Sequence, residues 1–111
     1  VANRVVGEVA GKECVLVDDM IDTAGTITEA IKVLTNAGAK KVIVAATHGI
    51  LSDPAVRRLS ESGATEVVIT DTLPVSAEKR FPSLTILSIA PLLARAILEV
   101  FEDGSVTSLF T

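Results

Sequence analysis

At 111 residues the chain is one domain's worth of polypeptide, long enough to bury a core of its own. With 49% hydrophobic residues and only three aromatics, all Phe, that core must be aliphatic, as in parallel sheets with helices on both faces. Ten basic against fourteen acidic residues leave a net charge of −4, which argues against the concentrated cationic surface that nucleic acid requires.

In chain order, VVGEV (5–9), just before Gly11, can pair as an edge strand. CVLVDD (14–19) is a short apolar run ending in acids and predicts a buried strand. Cys14 opens it as a small packing residue; being the only cysteine, it excludes an internal disulfide and suits a reducing compartment. In TITEAIKVLTNAG (26–38), Ile27, Ala30, Ile31 and Leu34 recur at helical spacing on one face. Thr26 with Glu29 has the form of a capping box, and Gly38 is a helix stop. KVIVAATHG (41–49) supplies the second strand and completes a β-α-β unit with an expected right-handed crossover.

The pattern then repeats. Asp53 and Pro54 form a cap and first-turn pair for the helix PAVRRLSES (54–62), which Gly63 closes. EVVITD (66–71) and LTILSI (84–89) are the third and fourth strands, separated by the longest irregular stretch, TLPVSAEKRFP (72–82). Pro91 opens a last helix, PLLARAILEVFED, that stops at Gly104, and VTSLF (106–110) is an apolar tail able to add a further strand. Strands alternating with helices predict an α/β domain: a mainly parallel sheet flanked by helices. No apolar run approaches the roughly 20 residues of a membrane span, and no secretory leader is visible. The chain begins at Val1, not at a methionine, and reads as a piece of something longer.

Ligands of open parallel sheets bind beyond the carboxyl ends of the strands, where crossover loops and helix N-termini gather. Those ends carry Asp18 and Asp19, Thr47 and His48, Asp71 and Thr72, and Ser88. Asp22, Thr23, Ala24, Gly25 and Thr26 lead straight into the first helix, whose unpaired N–H groups and positive dipole end suit a phosphate. Neither GxxxxGK[ST] nor a GxGxxG after a strand is present, so amides and hydroxyls must hold the anion without a lysine in the loop. Asp18 and Asp19 would repel a phosphate but accept hydrogen bonds from vicinal sugar hydroxyls. A pentose 5-phosphate reconciles the two halves of VLVDDMIDTAGT (15–26), and Mg²⁺ nearby would lessen the repulsion. The plainer alternative is that Asp18 ends the strand and Asp22 caps the turn.

VLVDDMIDTAGT closely resembles the phosphoribosyl-diphosphate (PRPP) binding signature of the type I phosphoribosyltransferase fold, which is Rossmann-like. Followed by ATHG, DTLP and SVTSLF in that order, it resembles the ribose-phosphate pyrophosphokinase (PRPP synthetase) family, in its bacterial members. The resemblance covers the whole chain but only about the C-terminal third of such an enzyme. It implies a partial C-terminal domain, residues 1–111, with the upstream strand, a Lys/Arg-rich flexible loop and the N-terminal domain lying elsewhere. It also implies transfer of the β,γ-diphosphate of MgATP to the C1 hydroxyl of ribose 5-phosphate, giving PRPP and AMP for nucleotide biosynthesis in the cytoplasm.

Carried over residue by residue, Asp18 and Asp19 would bind ribose hydroxyls, and Asp22, Thr23, Ala24, Gly25 and Thr26 would wrap the 5-phosphate. Family members often have Gly where this chain has Ala24. Ser105, Val106, Thr107 and Phe110 would belong to an allosteric ADP/phosphate site between subunits of a homo-oligomer, against the plainer reading of a closing strand. No catalytic residue and no metal ligand is assigned within the chain, since the Mg²⁺ ligands and the cationic loop lie upstream in the family. The fragment alone should therefore be inactive.

Other polar residues have duller readings. His48 is expected to be a hydrogen-bonded loop residue rather than a catalyst. Arg57 and Arg58, beside Glu61, form a solvated face, and Lys79 and Arg80 are solvated loop charges. Asp71 and Thr72 either line the site or end their strand. Two other functions remain open: a phosphoribosyltransferase that consumes PRPP, and a non-catalytic regulatory paralogue that only binds it.

Overall fold

The computed structural model describes residues 7–102. Four strands, β1 (Glu13–Ile21), β2 (Lys41–Gly49), β3 (Glu66–Thr70) and β4 (Leu84–Leu87), alternate with helices α1 (Gly25–Asn36), α2 (Ala55–Glu61) and α3 (Ala90–Phe101). The strands make one all-parallel sheet in the order β1-β2-β3-β4. The α/β class and the four described strands follow the sequence pattern, with no end shifted by more than two residues. The irregular 72–82 stretch contains a 3₁₀ turn, Ala77–Lys79, and sends Phe81 into the core. VVGEV forms no strand over residues 7–9, and its first two residues lie outside the described range, as do Gly104 and the VTSLF tail.

Among the described residues the helices α1 and α2 flank one face of the sheet. Each crossover moves to the next strand in the same direction, so a constant hand places α1 and α2 on the same side. The covered face holds Val42, Val44, Ala46, Val67 and Ile69, interleaved with Ile31 from α1 and Ala55 and Leu59 from α2. On the other face Val15, Val17 and Leu87 stand 60%, 79% and 54% exposed, so that face is bare among the described residues. No polar side chain is buried in this region; the core is aliphatic, with Phe81 its sole aromatic. Helix α3 buries none of its residues.

The helix ends are set differently from the sequence reading. Gly38, at φ +94, closes α1 in a Schellman turn: its N–H bonds to Thr35 O at 3.0 Å and that of Ala39 to Leu34 O at 3.1 Å. The expected Thr26–Glu29 capping box does not form. The helix begins two residues earlier than that box requires, with left-handed Ala24 at the cap, so Thr26 is already inside it. Nor does Asp53 cap α2, whose N-cap position is Pro54 with no side-chain hydrogen bond; the first turn is closed by the Ala55 N–H to Ser52 O bond of 2.9 Å.

Candidate functional site

The loop between β1 and α1 is pinned from outside. Ile21, 2% exposed, turns its carbonyl to the N–H groups of Ile50 and Leu51, 2.9 and 3.1 Å away. Ala24 then adopts φ 67 and ψ 15, a left-handed conformation that costs a non-glycine residue about 1–2 kcal/mol. It is held there because its methyl is buried and its carbonyl accepts both the Thr28 N–H, at 3.1 Å, and the Thr28 hydroxyl, at 2.6 Å. The same hydroxyl lies 3.0 Å from Gly25 O, and Arg58 Nη1 donates to Thr23 O at 3.1 Å.

The carbonyls of Thr23, Ala24 and Gly25 are thus all engaged away from the loop's mouth. Among the described residues, by contrast, the N–H groups from Asp22 to Ile27 meet no protein acceptor. Six consecutive free donors at a helix N-terminus make a concavity of positive partial charge suited to an anion.

The concavity opens into a cavity of about 190 Å³ lined by Asp18, Met20, Ile21 and residues 22–27. Every residue expected to wrap a phosphate, Asp22, Thr23, Ala24, Gly25 and Thr26, is there, and so is Asp18. Asp19 is not. Instead its N–H bonds to Asp18 Oδ1 at 2.7 Å. β1 also runs on to Ile21, so neither acid ends the strand. A larger groove, about 560 Å³, lies between Asp53–Arg57 and Glu78–Lys79; its charges are of both signs and it does not include the loop.

The remaining strand ends form a separate network. His48 Nδ1 is 2.7 Å from the Thr72 hydroxyl, while the Thr70 hydroxyl donates to Thr47 O at 2.6 Å, tying the ends of β2 and β3 together. His48 is thus hydrogen-bonded, as expected, but from within β2 and not from a loop. Asp71 accepts the Ile89 N–H at 2.8 Å and so anchors the start of α3. This bond, with help from Ser88, holds its carboxyl below the usual carboxylate range. Neither Asp71 nor Thr72 lines the cavity at the loop. The residue that sequence reasoning missed is Arg58. Helical phase carried the signal: it follows Ala55 by three positions and adjoins Leu59, both buried, so it borders the packed face of α2. Ser105, Val106, Thr107 and Phe110 lie outside the described residues.

Comparison with known proteins gives the family. The ribose-phosphate pyrophosphokinase of Bifidobacterium longum is 70% identical over 110 residues, spanning 99% of this chain and 32% of that protein. The enzyme of the same name from Mycobacterium tuberculosis is 66% identical over 110 residues, 99% of this chain and 34% of its own. A crystal structure of phosphoribosylpyrophosphate synthetase from Mycobacterium smegmatis superposes with a TM-score of 0.85 at 64% identity, covering 91% of this chain and 34% of that one. The chain therefore spans about a third of the length of these relatives. The family described as phosphoribosyl synthetase-associated domain matches residues 2–111, and the chain belongs to that family.

Proposed function

We propose that the chain is the ribose 5-phosphate- and PRPP-binding part of a ribose-phosphate pyrophosphokinase, a partial C-terminal domain of a longer cytoplasmic enzyme. The observation that carries the proposal is the row of six unpaired amides, Asp22 to Ile27, beside the Asp18 carboxylate in one cavity. Amides and the Thr23 and Thr26 hydroxyls would take the 5-phosphate, and Asp18 would accept hydrogen bonds from the ribose hydroxyls. Asp19, outside the cavity, would act on the sugar only from its rim.

Held at both ends, the sugar has its C1 hydroxyl fixed in position, which is the contribution of orientation to a bimolecular transfer. In the proposed reaction that oxygen attacks the β-phosphorus of ATP. The bond from β-phosphorus to the bridging oxygen breaks, AMP leaves, and the hydroxyl proton is lost. Among the described residues no three His, Cys, Asp or Glu side chains converge. The Mg²⁺ expected for such chemistry would take its ligands from phosphate oxygens and from residues elsewhere in the polypeptide. The charge that stabilises the transferring group would also come from elsewhere, and Ser105, Val106, Thr107 and Phe110 would serve a regulatory site between subunits of a homo-oligomer. No helix among the described residues is long and apolar enough to cross a membrane.

The test is product analysis on the full-length polypeptide. AMP should form from ATP only when ribose 5-phosphate and Mg²⁺ are both present. Release of diphosphate from PRPP with attachment of a base would replace this reading with that of a phosphoribosyltransferase, and binding without turnover would leave a regulatory paralogue.

A further inference from the structure

Arg58 is the one cationic side chain hydrogen-bonded to the phosphate loop among the described residues. It comes from a rigid place: Ala55 and Leu59, on either side of it in α2, are 0% and 1% exposed. From there Nη1 reaches 35 positions back along the chain to Thr23 O, and a methyl added at Gly25 would lie only 3.3 Å from the same nitrogen. The guanidinium therefore spans the outer side of the Thr23–Gly25 turn.

Two consequences follow from elementary chemistry. A peptide group is planar, so holding the Thr23 carbonyl outward holds the N–H of Ala24 on the opposite side, toward the mouth of the loop. The guanidinium also brings a permanent charge to a loop that contains Asp22 and lies near Asp18, with no cation of its own. Asp22 and a bound phosphate would otherwise repel.

Resting on the phosphate reading given above, we infer that Arg58 is a positioning residue of this site. It braces the amide cradle through Thr23 O and offsets the negative charge gathered there. Since Arg58 is exposed, water screens its charge, and the effect is graded rather than absolute.

The test uses the full-length polypeptide as wild type, Arg58→Ala, Arg58→Gln and Arg58→Lys. Calorimetric titration gives the affinity for ribose 5-phosphate and for inorganic phosphate, and steady-state kinetics give the KM for ATP. Arg58→Ala should weaken both phosphate ligands about tenfold. Arg58→Gln, which keeps a donor but loses the charge, and Arg58→Lys, which keeps the charge but loses the fork, should each recover part of that loss. The KM for ATP and the unfolding temperature should stay at wild-type values. Affinities of Arg58→Ala within twofold of wild type would overturn the inference, as would an equal rise in the KM for ATP. If wild type takes up inorganic phosphate but not ribose 5-phosphate, and Arg58→Ala weakens that uptake, Arg58 keeps its role while the sugar assignment fails. If wild type binds neither, both fall.

Discussion

Gly25 separates the demands of folding from those of binding. It opens α1 at an ordinary helical φ, so nothing in the backbone requires glycine there. An alanine methyl would meet Arg58 Nη1 at 3.3 Å and Thr23 Oγ1 at 4.0 Å; the first is the end of a flexible side chain that can give way. Against that small cost stands a gain of about 0.5–1 kcal/mol from restricting the unfolded chain and favouring the helix. Gly25→Ala should thus be neutral to stabilising, by about 0.5 kcal/mol, or about 1–2 °C in unfolding temperature. The same methyl would push the Arg58 guanidinium from its place outside the turn and loosen its hold on Thr23 O, which braces the amide cradle. The affinity for ribose 5-phosphate should fall by up to about tenfold, or about 1.4 kcal/mol. Scanning calorimetry and ligand titration on the same preparation of full-length protein read both effects. A marked fall in unfolding temperature would mean that glycine is there for folding. Unchanged affinity would mean that the contact of Arg58 with the turn does not govern phosphate binding.

Asp18→Asn should weaken ribose 5-phosphate binding about tenfold, the scale of one charge-assisted hydrogen bond, and circular dichroism should stay unchanged because the amide oxygen can still accept the Asp19 N–H. Unaltered affinity would make the acid structural. Gly49→Ala places a methyl on the Ile69 side chain, which is 0% exposed, and should destabilise by about 1–3 kcal/mol in denaturant titration; a variant as stable as wild type would show that this part of the core can yield. The Asp71 pKa is lower in the folded protein than in the unfolded chain. Its stabilising effect is therefore complete above about pH 4 and is lost as pH falls through the folded value. Hydrogen exchange should show the Ile89 amide losing protection in that acid range, and losing it at neutral pH in Asp71→Ala. Protection independent of both would refute the anchoring role.

Much of this was legible because two signals were strong. The aliphatic runs at 14–19, 41–49, 66–71 and 84–89 mark strands whose alternation is visible in Val42, Val44, Val67 and Ile69. The acid and small-hydroxyl pattern of residues 18–26 marks the loop, and every one of those residues but Asp19 lines one cavity. What was illegible depends on geometry that composition does not encode. Hydrophobicity cannot tell one covered face from two, since Val15 and Val17 are as apolar as Val42 and Val44. The Thr26–Glu29 spacing fits a capping box, but the left-handed turn at Ala24 starts the helix too early for it. Arg58 reaches Thr23 across a long separation in sequence, and no local pattern announces such a contact.

The engaged carbonyls of the loop also govern how fast a ligand would come and go. With Ile21 O, Thr23 O and Ala24 O already bonded within the protein, the turn has its amides aimed before any anion arrives. Association should then proceed in a single kinetic phase without a slow isomerisation, at rates common to rigid sites. Discrimination among phosphorylated sugars would be written almost wholly in their residence times. A ligand whose hydroxyls miss Asp18 would enter as quickly as ribose 5-phosphate and simply leave sooner.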